Sequence, residues 1–467
     1  MSALPLITHD RPGAVLAYRR GQPISAARFL ADAHALAARL PAATHLLNFC
    51  SDRYRFAVGL AAGLISGKVS ILPSTHTPEV IRHLRAFAPD VFCLSDDAHC
   101  PIALPQLLYV DPPSPEDVAL SPIDASARIG AVAPFDVPLI DAARLAAYVF
   151  TSGSSGTPVP HAKTWGRLVQ CVAAEVSRLG APPMPGCAIL GTVPAQHMYG
   201  LESTVLLPLL SGAALCAERP FFPADIAAAL AALPGPRVLV STPVHLRALL
   251  AAAIALPPLE LIVSATALLP ANLAREVESR YRAPLLEIYG STETGQMASR
   301  RTALEDRWRL WPGVRLTLGD NHCSAHGGHI ARPIALADVL EPSGDEHFLM
   351  HGRTADLVNI AGKRSSLAYL NHQLSAIPGV TDAAFFVRDD SEASLAGVTR
   401  LGALVVAPRL DAASIIQALR QRIDPVFLPR PLLLVGQLPR NATGKLPQHT
   451  LRALTERAAA LQPHLFA

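Results

Sequence analysis

A chain of 467 residues is too long for one simple core, so two or more domains are expected. Hydrophobic residues make up 50 % and charged residues 16 %, which excludes intrinsic disorder. A formal net charge of +3, with no Lys/Arg cluster interleaved with aromatics, argues against nucleic acid as a partner.

The seven cysteines form no CxxC pair and no regular spacing, the pattern of reduced thiols in a cytoplasmic protein. His9, Asp10 and Arg11 interrupt the opening stretch where a signal peptide would be apolar. The longest apolar tracts, such as 204–217, are too short for a bilayer span, and that one contains Pro208 and Gly212. A cytoplasmic protein without a membrane span is the expectation.

In chain order, the pattern predicts a helix from Ser25 toward Leu40, with Ser25 as N-cap. A strand over 45–50, a helix over 56–66, a strand over 69–72, a helix over 78–87 and a strand over 91–94 follow. Residues 121–145, rich in Pro, Ala and Asp, read as a surface connection. An apolar run over 145–150 then leads into Thr151, Ser152, Gly153, Ser154, Ser155, Gly156 and Thr157. Leu168, Val172, Val176 and Leu179 recur as one helix face, so this loop is expected to join a buried strand to a helix. Glycines let backbone N–H groups turn inward and hydroxyls add donors, a combination that suits a polyphosphate. A flexible linker is the competing reading, disfavoured by the short length and the apolar flank. It is not a Walker A loop, because Pro158 stands five positions after Gly153 where that pattern needs glycine.

Strands over 187–193, 213–217, 238–240, 259–263 and 285–289 alternate with helices that begin near Pro223, Pro243 and Pro270. Such alternation means an α/β architecture with largely parallel strands, whose ligands sit beyond the carboxyl ends of the strands. Near residue 350 the pattern changes to strand 383–387, strand 401–406, helix 412–423, strand 432–435 and helix 448–461, a compact α+β unit.

Three further stretches carry chemistry. The first runs from Glu287 through Tyr289, Gly290, Ser291, Thr292 and Glu293 to Gly295. Glu293 offers a carboxylate suited to Mg²⁺ and Tyr289 a flat face for a base; an exposed turn with an incidental glutamate is the competing reading. The second is His351-Gly352-Arg353-Thr354-Ala355-Asp356, followed by Gly362, Lys363 and Arg364. The third ends in Thr443-Gly444-Lys445, a lysine after glycine that can serve as a movable cation and, taken alone, reads equally as one more surface lysine.

Together with the 151–157 loop, these stretches occur once each and in order, and they resemble the adenylate-forming enzymes, which include acyl- and aryl-CoA synthetases, luciferases and peptide-synthetase adenylation domains. The resemblance covers nearly the whole chain. It implies a large N-terminal AMP-binding domain over 1–352 and a small mobile α+β domain over 353–467. It also implies that Thr151 to Thr157 hold the ATP pyrophosphate, that Tyr289 lies against adenine, that Thr292 stands near the α-phosphate and that Glu293 binds Mg²⁺. Ser264, Ala265 and Thr266 take the place where the family lines the adenine pocket, although its usual glycines are missing. Asp338 matches the aspartate on the ribose hydroxyls, followed by Arg353, and Lys445 the lysine that bridges carboxylate and phosphate. His197 matches an aromatic-gate position beside the acyl pocket, although a lone histidine is more often structural.

Two departures stand out. Val159 follows Pro158 where the family carries lysine, with Lys163 a candidate substitute four residues on; Ala355 replaces the usual Asp or Lys at the hinge, beside Asp356. The expected activity is ATP-dependent ligation of an acyl or aryl carboxylic acid to a pantetheine thiol, with ATP and Mg²⁺ as cofactors. The runs 151–165 and 358–367 look similar to ligases encoded with bacterial aryl-polyene and polyketide pathways, which favours an acyl carrier protein as acceptor over CoA. Lys363, Arg364, Arg440 and Lys445 are cations that can meet an acidic carrier, or simply an ordinary solvated face. Val159 and Ala355 keep open a non-catalytic adenylate-binding relative. His197, Tyr199, Ser241, Thr242 and His245 make a mixed polar pocket suited to a hydroxylated aromatic acid.

Overall fold

The computed structural model describes residues 2–111, 135–151, 158–179, 185–319, 323–353, 357–360, 363–387, 400–440 and 446–461. Six strands form a first sheet, in the order Val159–Thr164, Leu145–Thr151, Val69–Leu72, His45–Asn48, Phe92–Ser95 and Gln106–Leu108. Its pairings are parallel except the first, which is antiparallel. A second sheet has eleven strands. Its parallel centre runs Leu285–Ser291, Leu261–Ser264, Arg237–Ser241, Ala188–Gly191, Ala214–Cys216 and Val15–Arg19. Antiparallel strands extend it at both ends, among them Gly295–Arg300, Trp308–Leu310, His347–Arg353 and Asp338–Pro342 at one edge. The mixed, largely parallel α/β class expected from the sequence is the class observed.

Helix Arg53–Ile65 lies against strands of both sheets and is buried along almost all its length, as a helix that is apolar all round must be. Local chemistry sets the helix starts. Ser25 accepts from the Arg28 N–H, Asp52 from Arg55 and Thr77 from Val80. Proline stands in the first turn of Pro78–Phe87, Pro223–Ala231 and Pro243–Ala251. In the C-terminal part, Leu370, Leu374, Phe385, Leu401, Ala403, Ile415 and Leu419 pack into an apolar core of their own.

The structure corrects four expectations. No helix follows the 151–157 loop directly: Val159–Thr164 returns antiparallel along Leu145–Thr151, and helix Trp165–Leu179 starts only afterwards. The returning strand lies at the sheet edge, where Pro160, which lacks a donor, is tolerated. The expected connection over 121–145 contains the strand Leu139–Asp141, paired with Ala3–Pro5; residues 112–134 lie outside the described set. An antiparallel meander fills much of 295–353, where no element was expected. The hairpin of Leu357–Ile360 with Lys363–Ser366 and the helix Leu367–Ser375 add to the expected C-terminal elements. Ala355, Asp356 and Gly362 lie outside the described residues.

The two sheets are pinned together by a buried cation. Arg53 opens helix Arg53–Ile65, and its guanidinium donates to the Gly191 carbonyl at 2.8 Å, the Val193 carbonyl at 3.0 Å and the Thr204 hydroxyl. Burial pushes its pKa down to about 10. Replacing Arg53 with leucine strands these acceptors, at about 1.5–3 kcal/mol for each charged hydrogen bond lost. The three bonds together outweigh the desolvation cost that a neutral leucine no longer bears, so Arg53→Leu is expected to lower stability by about 3–5 kcal/mol, read in urea as a lower midpoint at an unchanged slope.

Candidate active site

At the carboxyl ends of three neighbouring parallel strands, Ser241 sits beside Ser264 and Ser264 beside Glu287. Ser264 is fully buried, and its hydroxyl has no hydrogen-bond partner among the described residues. Ala265 is buried, and Thr266 follows with φ +78°, a left-handed conformation that costs about 1–3 kcal/mol for a branched residue. Glu287 binds inward instead. It accepts from the Leu269 N–H at 2.9 Å, from Arg300 at 2.8 Å and from Thr302 at 2.7 Å, which makes it a structural hub.

Tyr289 lies two residues further along the same strand and donates its hydroxyl to Asp338 at 2.7 Å. Asp338 opens the strand Asp338–Pro342, and its register partner is Arg353. Tyr289, Asp338 and Arg353, three of the six residues expected around the nucleoside, therefore lie together at one corner of the second sheet.

Strand pairs from the two sheets meet beside this corner. In the first sheet, the Thr151 hydroxyl meets His161 Nε2 at 3.0 Å, and the same nitrogen stands 3.5 Å from the Glu293 carboxylate. Lys163, on the same strand as His161, donates from Nζ to the Glu293 carbonyl at 3.0 Å and is 8 % exposed. In the second sheet, Leu285–Ser291 turns through Thr292, Glu293 and Thr294 into Gly295–Arg300. Ser291 and Thr294 pin that turn through reciprocal bonds between backbone N–H and hydroxyl, at 3.1 and 3.2 Å. Gly290 admits no side chain, because a Cβ would lie 2.3 Å from the Gly295 carbonyl oxygen. Thr292 is half-buried on this turn. Ser152, Gly153, Ser154, Ser155, Gly156, Thr157 and Lys445 lie outside the described residues.

Behind the turn lies a buried polar cluster. Helix Trp165–Leu179 presents Cys171 and Glu175, one turn apart, to the π-helical segment Glu202–Leu206. The Cys171 thiol donates to Glu202 at 3.1 Å, the Ser203 hydroxyl to Glu175 at 2.6 Å, and the Gln296 amide to Ser203 at 2.7 Å. Burial raises the pKa of Glu175 to about 8 and of Glu202 to about 7, and lowers that of His329 to about 4. The Lys163 ammonium is pushed down by burial and supported by the charge of Glu202.

The expected acid pocket proves largely self-satisfied. Tyr199 donates to the carbonyls of Ser241 and Val263, both at 3.2 Å. Thr192 pairs with Ser241 at 3.1 Å, and His245 Nδ1 lies 2.9 Å from the Thr242 hydroxyl. His245 Nε2 is buried without a partner among the described residues, and burial lowers its pKa to about 4. His197 is half-buried at the N-cap of Met198–Leu201. Of the cations considered for a carrier protein, Arg440 is bound to Asp382 at 2.8 Å. His161 escaped the sequence reading altogether; period-two spacing with Val159 and Lys163 was the available signal, masked by the expectation of a helix.

A hard cation fits this corner. Glu293 is a carboxylate at the tip of a turn with its side chain 38 % exposed, beside the Thr151 hydroxyl. A single half-exposed carboxylate, with room for water and phosphate oxygens, is a donor set that Mg²⁺ accepts.

The sequence matches the family described as AMP-binding enzyme over residues 9–322. It is 32 % identical over 277 residues to a 4-coumarate–CoA ligase of Rhodobacter capsulatus, an alignment spanning 59 % of this chain and 66 % of that enzyme. A second 4-coumarate–CoA ligase, from Halorhodospira halophila, is 31 % identical over 305 residues, covering 63 % of this chain and 73 % of the relative. Among solved structures, ATP-bound MatB from Rhodopseudomonas palustris superposes with a TM-score of 0.76 at 20 % identity, over 96 % of this chain and 97 % of the other. That likeness shows the fold: a large N-terminal domain and a small C-terminal one.

The buried cluster makes stability depend on pH in a defined direction. Glu175 and Glu202 hold protons in the folded state that the unfolded chain has lost above the ordinary value of 4.5, so their contribution fades as pH rises through about 7 and 8. His245 and His329 work oppositely: their contribution is present above 6.5 and is lost as pH falls toward about 4. Between 4.5 and 6.5 the two effects oppose each other, and above 6.5 only the carboxyls act. The melting temperature is therefore expected to fall as pH rises from 6.5 toward 8, and Glu175→Gln to remove the larger part of that fall in a pH series of thermal melts.

Proposed function

The chain belongs to the AMP-binding enzyme family, whose relatives here are AMP-forming acid–thiol ligases, and we propose that it adenylates a hydroxylated aromatic carboxylic acid and passes the aryl group to the pantetheine thiol of an acyl carrier protein. The observation that carries the adenylation step is the strand Leu285–Ser291 with its turn. Four residues apart, it presents Tyr289, bonded to Asp338, and Glu293, within reach of His161 and Thr151. That spacing suits a nucleoside at one end and phosphates at the other.

In this reading the substrate carboxylate attacks the ATP α-phosphate in line and expels pyrophosphate. Tyr289 and Asp338 orient the nucleoside, Asp338 keeping acceptor capacity for the ribose hydroxyls. Thr151 and the loop after it donate to the departing phosphates, and Thr292 stands beside the α-phosphate. Mg²⁺ held by Glu293 would supply charge neutralisation on the phosphate oxygens. Lys445 bridges the substrate carboxylate and the phosphate in the proposed transition state. With His245 Nδ1 accepting from Thr242, the ring carries its proton on Nε2, a donor left for a phenolic oxygen. His197 gates the acid pocket. The proposed domain boundary falls between residues 352 and 353, beside the end of the strand His347–Arg353. A cytoplasmic setting is proposed because all seven cysteines are buried free thiols, and no described helix is long and apolar enough to cross a membrane.

The carrier-protein acceptor rests on the resemblance of the runs 151–165 and 358–367 to ligases of aryl-polyene and polyketide pathways. CoA is the second reading, favoured by the names of the relatives. A panel of carboxylic acids, run with pyrophosphate release and then with CoA or a carrier protein as acceptor, is expected to give release with hydroxylated aromatic acids and faster transfer to the carrier. Absence of release with every acid, despite ATP binding, leaves only a non-catalytic adenylate binder. Lys445→Ala is expected to keep ATP binding and lose about two to three orders of magnitude in adenylation rate, roughly 3–4 kcal/mol.

A further inference from the structure

The lysine that the family carries directly after the loop proline is valine here, and the antiparallel return of the chain shows what stands in its place. Alternate residues of a strand share a face, so 159, 161 and 163 look to the same side. Along that face exposure falls from 43 % at Val159 to 8 % at Lys163, so the strand runs from open solvent to a site beneath the Glu293 turn. There Lys163 Nζ grips the carbonyl of Glu293 at 3.0 Å, while His161 Nε2 stands 3.5 Å from its carboxylate and 3.0 Å from the Thr151 hydroxyl. Backbone and side chain of the same residue are thus held by two residues of one strand.

The floor of the site is equally constrained. Gly295, with φ +74°, follows the turn, and a Cβ there would lie 2.9 Å from Glu202 Oε1 and 3.4 Å from His329 Nε2. Glu202 is fully buried on the π-helical segment, with Oε2 lacking a partner among the described residues. A π-helical turn is rare and recurs at functional sites. Here it sets the Glu202 side chain directly under the turn.

We propose that Lys163 and His161 are positioning residues for the Glu293 turn and that together they replace the lysine absent at position 159. They fix where Glu293 presents its carboxylate to the Mg²⁺–ATP complex; neither is a catalytic residue. The proposal rests on the adenylation reading above.

The test separates metal-dependent from metal-independent ATP binding. Lys163→Met, Lys163→Arg and His161→Asn are compared with the wild type by the thermal shift that ATP induces, with and without Mg²⁺, and by pyrophosphate release across a Mg²⁺ titration. Lys163→Met is expected to bind metal-free ATP within about twofold of the wild type. Its half-saturating Mg²⁺ should rise about tenfold, with kcat lowered about 10- to 100-fold, the scale of losses seen when supports of a metal ligand are removed. Lys163→Arg should recover part of both, and His161→Asn should raise the half-saturating Mg²⁺ with a smaller change in kcat. A merely structural lysine would lower the melting temperature and leave the Mg²⁺ dependence alone. An unchanged Mg²⁺ half-saturation, within about twofold, in Lys163→Met overturns the proposal. If that variant does not fold, the same result in both Lys163→Arg and His161→Asn overturns it. Wild-type protein that releases no pyrophosphate with any acid fails the functional reading instead, and the Mg²⁺-dependent thermal shift still judges the positioning role.

Discussion

The antiparallel return of Val159–Thr164 along Leu145–Thr151 is the constraint on which the rest of the site depends. It sets the strands on either side of residues 152–157 antiparallel, where a strand followed directly by a helix was expected. It places His161 and Lys163 on one face and carries that face to the hairpin of the second sheet. A lysine at such depth is costly, because burial disfavours the charged form, and it persists only with a compensating charge. The Glu293 carbonyl accepts its hydrogen bond at 3.0 Å.

The site therefore belongs to neither sheet alone. Thr151, His161 and Lys163 come from the first sheet, Tyr289 and Glu293 from the second. Their relative placement is set by how the sheets pack through helix Arg53–Ile65 and by the Arg53 guanidinium, whose acceptors lie on the segment that leads to His197 and Glu202. This couples the placement of Thr151 and Glu293 to a residue buried away from them. Interiors pack closely enough to transmit such displacements.

Much of this was legible in the sequence where one local force dominates. The cap at Ser25, the first-turn prolines of three helices and the apolar strands of the parallel sheets follow from capping, φ restriction and burial. Tyr289, Thr151 and Glu293 were singled out from their chemistry and Asp338 from the family resemblance alone, and the structure bonds Tyr289 to Asp338 and sets His161 beside both Thr151 and Glu293. What was not legible depends on partners far along the chain. Pro158 and Pro160 mask an edge strand whose only pairing is with its predecessor. Strand Gly295–Arg300 is buried at five of its six positions and shows no alternation. Glu175 and Glu202 look like polar interruptions in apolar runs, and only the folded chain reveals that one faces Ser203 and the other Cys171.

The departures from the family pattern carry a physical cost. Thr266 sits at φ +78° where the family's glycines would be unstrained, so the strand end beside Ser264 stores strain that glycine would not. Strain of this kind persists only where surrounding contacts over-determine the backbone. Here the flanking strand is buried at all four residues and paired on both sides, to Arg237–Ser241 and to Leu285–Ser291. The same logic applies to Lys163. A lysine on a loop is cheap to place but free to wander, whereas Lys163 on a paired strand bears a desolvation cost and gains a fixed position at the Glu293 carbonyl. Thr266, just beyond Leu261–Ser264, and Glu293, on the turn after Leu285–Ser291, are each anchored by the paired strand beside them.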